Sequence, residues 1–274
     1  MPTPKSPKNQ SATDSVQKIA TWLYWLLNFL LAAAFALALA KLFVPMNSGW
    51  PEALLVLTAT VGTLAALARQ LPLQNVLLVA FIIVIFTGAA LAVGALTGIP
   101  FGPFTFSTKA GPELFKTLPW IMPLFWLVVI LNSRGTARLI LRPWRKTKSY
   151  GFWVMGLAAI LTVLFDFALE PFASRHYWFW MPTKFPFAWY GTPLVDFPAW
   201  ALLTLLTLAF ATPALINKQP RKKSSRTFHQ LAVWLGGILF FAIASASHGF
   251  WLAVAADAAI GIITAVFAIR GARW

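Results

Sequence analysis

The sequence predicts an all-α fold: a polytopic integral membrane bundle of about eight transmembrane helices. Three observations carry that reading. Of 274 residues, 59% are hydrophobic and only 11% charged, with a mean hydropathy of +0.73. A soluble domain carries roughly 25% charged residues and could not cover its surface with so few. Disorder, which needs low hydrophobicity, is excluded by the same figures. The second observation is a series of long apolar segments, and the third is the placement of the basic residues between them.

A bilayer core of roughly 30 Å requires about 20 apolar helical residues. Eight segments qualify or come close. The first, 19–40, follows a polar start with Pro2, Pro4 and Pro7, so residues 1–17 read as a disordered cytoplasmic tail. That basic start and the closing Ala-Leu-Ala resemble a signal peptide, but the apolar run is longer than a typical h-region, which favours an uncleaved helix. The second, 53–67, is short and Thr-rich, with a re-entrant segment as the alternative. The third is 76–96. The fourth, 118–131, continues as helix to residue 140. The fifth to eighth are 152–172, 199–216, 231–246 and 250–269. Together they make a single transmembrane domain over 18–274, without a convincing internal repeat.

Basic residues orient the spans. With eight crossings, Lys41, Lys109, Lys116, Arg175 and Lys184 fall on one side and the other 17 of the 22 Lys and Arg on the opposite side. Positive charge marks the cytoplasmic face, so both termini are expected in the cytoplasm and the chain in the cell (bacterial inner) membrane. Removing any one span mixes the two sets. The net charge of +15 is therefore read as membrane orientation rather than nucleic-acid binding, and the basic loop 217–226 as part of that pattern.

Composition and motifs also exclude chemistry. There is no cysteine, hence no thiolate, Fe–S cluster or cysteine zinc site. His176, His229 and His248 are dispersed, which leaves no histidine array for a di-iron oxygenase or desaturase. Paired Asp-rich motifs for a diphosphate, a Walker A loop, GxGxxG and GxSxG are all missing. No metal or cofactor is expected.

Two loops on the non-cytoplasmic side stand out, 97–106 (TGIPFGPFTF) and 174–197. An interfacial aromatic belt explains scattered Trp and Tyr. It does not explain Gly98, Pro100, Gly102 and Pro103 interleaved with Phe101 and Phe104, which call for fixed tight turns around a shaped pocket. Only seven acids exist. Asp14 and Glu52 read as solvated or interfacial, and Glu113 as a loop residue. Asp166 and Glu170 lie four apart, on one face of the fifth helix. Asp166 falls about 21 Å from the cytoplasmic edge at 1.5 Å per residue. An intramembrane carboxylate is by default functional; the bland alternative is a packing carboxyl or a pair with Arg175 or Lys184. Asp196 opens the sixth helix, where Asp is also a favoured N-cap. Asp257 is a further intramembrane acid. The loops and these four acids converge on one site in the outer leaflet, with carboxylic acid–base chemistry and aromatic walls able to stabilise a cation.

The motifs resemble those of the CruF-type carotenoid biosynthesis proteins, the carotenoid hydratases of bacteria and archaea. The likeness covers about 91–216. It rests on Thr97-Gly98-Ile99-Pro100-Phe101-Gly102, on Leu118-Pro119-Trp120 with Met122-Pro123-Leu124 and Trp126, and on Ala137-Arg138. It continues through Asp166 with Glu170-Pro171 and through Trp189-Tyr190-Gly191-Thr192-Pro193 with Asp196-Phe197 and Trp200. Asp196 stands where the family pattern has Asn, Phe104 and Phe106 where tyrosines are common, and Leu91 where an acid is expected.

The resemblance implies cofactor-independent hydration of the terminal double bond of an acyclic (ψ) carotenoid end, giving a tertiary alcohol. Asp166 or Glu170 would protonate the alkene, with Asp196 in the same carboxyl set. Trp178, Trp180, Trp189 and Tyr190, with Gly98, Pro100, Phe101, Gly102 and Phe104, would shape the pocket. The partners implied are a membrane-embedded carotenoid, the bilayer and other enzymes of carotenoid synthesis, with no nucleic acid. The alternatives are a non-catalytic carotenoid or lipid carrier or assembly factor, then a proton-coupled transporter.

Overall fold

The computed structural model describes residues 7–44, 50–181, 187–216 and 228–274, with side chains described from Thr21 onward. Among them, eight α-helices make up almost all regular structure: α1 (Pro7–Lys41), α2 (Trp50–Ala68), α3 (Leu73–Thr97), α4 (Met122–Ile140), α5 (Tyr150–His176), α6 (Asp196–Leu215), α7 (His229–Ser247) and α8 (Trp251–Ala272). α1 begins at Pro7, so the tail expected over 1–17 overlaps it. The basic loop 217–226 and Lys184 lie outside the described residues. α2 is a full helix of 19 residues, long and apolar enough to cross a membrane, as the reading of a second span expects.

Seven of these helices are long and apolar enough to span a bilayer; α4 is the exception. The difference has a physical reason. α4 is the hub of the bundle, packed against α2, α3, α5, α7 and α8. Its second half buries Asn132, Ser133, Arg134 and Thr136 within protein rather than lipid. A helix with no lipid face has no need of uniform hydropathy. The outer helices show the converse pattern: Leu77, Phe81, Phe152, Leu202, Phe210 and Ile263 are large, apolar and exposed, as lipid-facing side chains are. The chain is a multi-pass helical membrane protein.

Close approach around the hub depends on glycine. A Cβ on Gly271 of α8 would run into the Leu139 and Ile140 carbonyls of α4, and one on Gly135 into the Gln230 side chain of α7. Small residues at helix crossings are how membrane helices gain contact without a hydrophobic drive.

At the end of the bundle where α3 stops and α4 starts, three short antiparallel pairs replace helix. β1 (Phe104–Phe106) pairs with β4 (Trp178–Trp180), in the register Phe104 to Trp180 and Phe106 to Trp178. β2 (Glu113–Leu114) pairs with β3 (Leu118–Pro119), and β5 (Ala188–Trp189) with β6 (Thr192–Pro193). The two loops singled out in the sequence are thus sewn to each other. Ser107 extends the seam, its hydroxyl donating to the His176 carbonyl at 2.8 Å and its N–H to the Tyr177 carbonyl at 2.8 Å.

Candidate active site

Gly98 ends α3 in the left-handed region (φ 76°), its N–H donating to the Gly94 carbonyl. A β-carbon there would press on the Pro103 backbone at 3.2 Å. Gly102 (φ 107°) then donates to the Gly98 carbonyl at 2.6 Å. These turns return the chain so that Phe101 and Phe104 point inward, both buried. Phe101 lies over Gly94, where an added Cβ would stand 2.7 Å from its ring. Pro100 shapes the turn but lines neither of the cavities described below.

β4 supplies the opposite wall. Side chains alternate along a strand, so Trp178 and Trp180 share a face while Phe179 points away and is exposed. Both indoles donate to Glu170: Trp178 Nε1 to Oε1 at 3.2 Å, Trp180 Nε1 to Oε2 at 2.9 Å. The Thr192 hydroxyl adds a third, short hydrogen bond to Oε2. Thr192 arrives through the β5–β6 hairpin, whose two turn residues, Tyr190 (φ 50°) and Gly191 (φ 101°), both have positive φ, as a two-residue primed turn requires.

Trp189 and Tyr190, expected as pocket walls, stand off the cavities. Pro171 lies inside α5 and has no N–H, which leaves the Phe167 carbonyl one turn earlier without its helical donor. The Trp189 indole fills that vacancy, donating to Phe167 O at 2.9 Å and stacking on the Phe167 ring at 4.1 Å. Tyr190 packs on Trp189 and Phe250. The Glu170-Pro171 and Trp189-Tyr190-Gly191-Thr192 motifs are therefore two halves of one joint, and it fixes Glu170.

Asp166, Glu170 and Asp196 come together, fully buried, with carboxylate oxygens within 4.8 Å of one another. Asp196 is not a side-chain N-cap of α6. Its carboxyl lies beside that of Asp166, and Trp200 follows one turn on along α6. Asp166 receives no N–H or O–H donor among the described residues, and neither does Oδ2 of Asp196. Arg175 does not pair with these acids; its guanidinium lies over the Phe250 ring, 4.6 Å from the centroid. Asp257 is buried on α8, outside the group and outside both cavities, so the expected convergence holds for three acids and not for the fourth.

Donor and acceptor counts sort the three. Three donors aimed at Glu170 match a carboxylate, which only accepts. Asp166, with neither oxygen paired, and the unpaired Oδ2 of Asp196 match two carboxyls that share one proton, since like charges so close in an apolar site cannot both be carried. As an all-oxygen set the group could hold only a hard divalent cation, and Glu170 is already engaged by Trp178, Trp180 and Thr192.

Glu170 and Asp196 line a cavity of about 30 Å³ walled by Phe101, Phe104, Trp178 and Trp180, with Trp126 and Trp200 stacked at 3.9 Å. Asp166 lies against these two acids. That volume suits a water molecule or so. The Trp126 indole N–H has no partner among the described residues. Beside it, a chamber of about 760 Å³ runs between α1, α2, α4, α5 and α7. Trp178 and Met122 line both spaces and form the partition. The chamber wall is overwhelmingly aliphatic and aromatic, with Phe125, Phe165, Phe240 and Phe241 along it. Sequence reasoning missed it, because it belongs to no motif. It also missed Glu52, read as interfacial. Glu52 lines the chamber mouth, where it pairs with Lys41 (2.6 Å) and accepts from Tyr177 Oη (3.0 Å). Burial, then the Glu52 charge, raise the Tyr177 phenol well above its ordinary value, so it stays a donor.

The family described as carotenoid biosynthesis protein matches residues 50–264, which includes the three acids and the aromatic walls around them. The chain belongs to the carotenoid biosynthesis protein family. Within curated relatives it is similar to the bisanhydrobacterioruberin hydratase of Haloarcula japonica, 30% identical over 112 residues. That match covers 40% of this chain and 36% of the archaeal protein, so the chain spans about a third of that relative's length. No solved structure matches the chain.

Proposed function

We propose that the protein hydrates the terminal carbon–carbon double bond of an acyclic carotenoid end to a tertiary alcohol. The observation that carries the reading is the buried group of three carboxyls, in which Glu170 and Asp196 line an aromatic-walled cavity beside an apolar chamber and Asp166, without a donor among the described residues, lies against them. The chamber takes the apolar chain, and its end group passes the Trp178–Met122 partition. The proton shared by Asp166 and Asp196 goes to the less substituted alkene carbon, leaving a tertiary cation at the carbon that bears two methyl groups. Trp178, Trp180 and the Glu170 carboxylate stabilise that cation. Water adds its oxygen to the cation and returns one proton to the carboxyl pair, so the net change is one water gained and no redox step.

The name of the archaeal relative and the family membership support this reading. The 17-to-5 charge asymmetry supports cytoplasmic termini in a cell membrane. A carrier without chemistry is the second reading, favoured by the contrast between the 760 Å³ chamber and the 30 Å³ cavity at the acids. Expression in bacteria that make an acyclic carotenoid, followed by pigment mass analysis, separates the two. Hydration adds the mass of one water; a carrier leaves the pigment unchanged.

A further inference from the structure

The chamber is polar only toward its two ends. One is the mouth with Glu52, Lys109 and Tyr177; the other is formed by Asn28, Asn132 and His229. Asn132 lies ten positions along α4 from Met122 at the partition, about 15 Å at 1.5 Å per residue. The far end therefore lies well away from the carboxyl group, beside the first turn of α7.

Hydrogen bonds at that end fix which atoms are free. The Asn28 amide nitrogen donates to the Tyr24 carbonyl at 2.7 Å, which turns its Oδ1 toward His229 Nδ1 at 3.2 Å. Oδ1 only accepts, so Nδ1 carries the ring proton and Nε2 is an acceptor. The Asn132 amide nitrogen spends both hydrogens, on Thr63 Oγ1 (3.0 Å) and the Val128 carbonyl (2.7 Å), which leaves Oδ1 as an acceptor. Among the described residues, neither His229 Nε2 nor Asn132 Oδ1 has a hydrogen-bond partner. The residues are 6% and 1% exposed, and both line the chamber. Two helices bring them close: His229 lies against Gly62 of α2, at 3.4 Å from where a Cβ would be, and Asn132 bonds to Thr63, the next residue. Trp234, also chamber-lining, has an indole N–H without a partner. Buried polar atoms are paired in native proteins, and unpaired ones facing a cavity ask for a ligand group.

We propose that the α2–α4–α7 end of the chamber is a hydroxyl-binding subsite, which recognises an isoprenoid or polyene chain that already carries an alcohol. The reading rests on the chamber as the seat of the substrate chain proposed above. A hydroxyl supplies the donor that Nε2 or Oδ1 lacks and accepts from the Trp234 N–H. Among the described residues no carboxylate, lysine or arginine lines this end; the nearby Arg69 lies over the Tyr24 ring (4.4 Å to its centroid) rather than in the chamber. The subsite makes the protein selective for chains oxygenated away from the reacting double bond, so a hydroxyl-introducing reaction supplies its preferred substrate.

The test compares all-trans-retinol with the hydrocarbon that has a methyl in place of its hydroxymethyl group. Each is titrated into full-length protein in lipid nanodiscs, and binding is read by quenching of tryptophan emission. Wild type is expected to bind the alcohol about tenfold more tightly, the cost of leaving buried acceptors unpaired. The double variant Asn132→Leu/His229→Phe is expected to bind both ligands alike, with hydrocarbon affinity unchanged. If the double variant binds neither, the single variants carry the test, and each is expected to lose part of the preference. Equal affinities in wild type would overturn the subsite and leave only an ordered water there. A preference that survives both substitutions would overturn it as well, by placing the hydroxyl elsewhere. Asp166→Asn separates this from the hydration reading. It is expected to keep the alcohol preference while losing turnover; full turnover with the preference intact sinks hydration and leaves the subsite standing.

Discussion

Asp166 is expected to be the least replaceable side chain in the protein. Asp166→Asn removes the acid of the shared pair and should cut hydration by a factor of about 10²–10⁴, the usual worth of a general acid, with helical content and membrane insertion unchanged. Asp196→Asn should cost less, because Asp166 can keep the proton with the amide oxygen at 196 accepting from it. Pigment ratios in cells expressing each variant check both; equal activity of Asp166→Asn and wild type would remove the pair as proton source. Trp189 has a different duty. Trp189→Phe keeps the stack on Phe167 but leaves a carbonyl unpaired, which should lower stability by about 1–3 kcal/mol, read as a drop in thermal midpoint. At this scale the sequence was informative about acids and less so about rings. Seven carboxyls in an apolar chain draw attention to themselves. The place of an indole depends on which carbonyl a proline has freed, and that is visible only once α5 and the β5–β6 hairpin are side by side.

Elements were legible where one helix answers to lipid alone. α1, α3 and α5 to α8 follow from apolar length. The fourth, read as 118–131 with helix to residue 140, is α4; only its second half falls short of apolar length, because its neighbours there are protein and it carries Asn132, Arg134 and Thr136 buried among them. The β1–β4 seam was hidden: strands of two or three residues have no period to read. What the sequence did show was the need for tight turns at Gly98 and Gly102, and these are the turns that bring Phe101 and Phe104 inward. The α4–α8 crossing offers a test at this scale. Gly271→Ala sets a Cβ against the Leu139 and Ile140 carbonyls, backbone atoms that cannot step aside. It should destabilise the protein by about 1–3 kcal/mol, measured as a lower melting temperature in detergent. A neutral result would show that α8 is loosely docked.

For the whole molecule, the order of spans and the lopsided basic residues define a topology, and the chamber defines what the bundle is built around. Reporter fusions after Lys184 and after Arg226 are expected to report opposite sides of the membrane; the same side for both would break the eight-crossing order. The chamber could not be read from the chain, since its wall is drawn from five helices and its residues are ordinary core types one by one. Its position beside the carboxyl group is what turns three buried acids into a site for an apolar alkene. The most direct test is isotopic. Cells expressing the protein and making an acyclic carotenoid are grown in H₂¹⁸O, with and without oxygen, and the pigment is weighed. Hydration predicts an added mass of one water with the label in the new hydroxyl, formed equally well under anaerobic conditions. Oxygen drawn from O₂, or no product without it, would contradict the account.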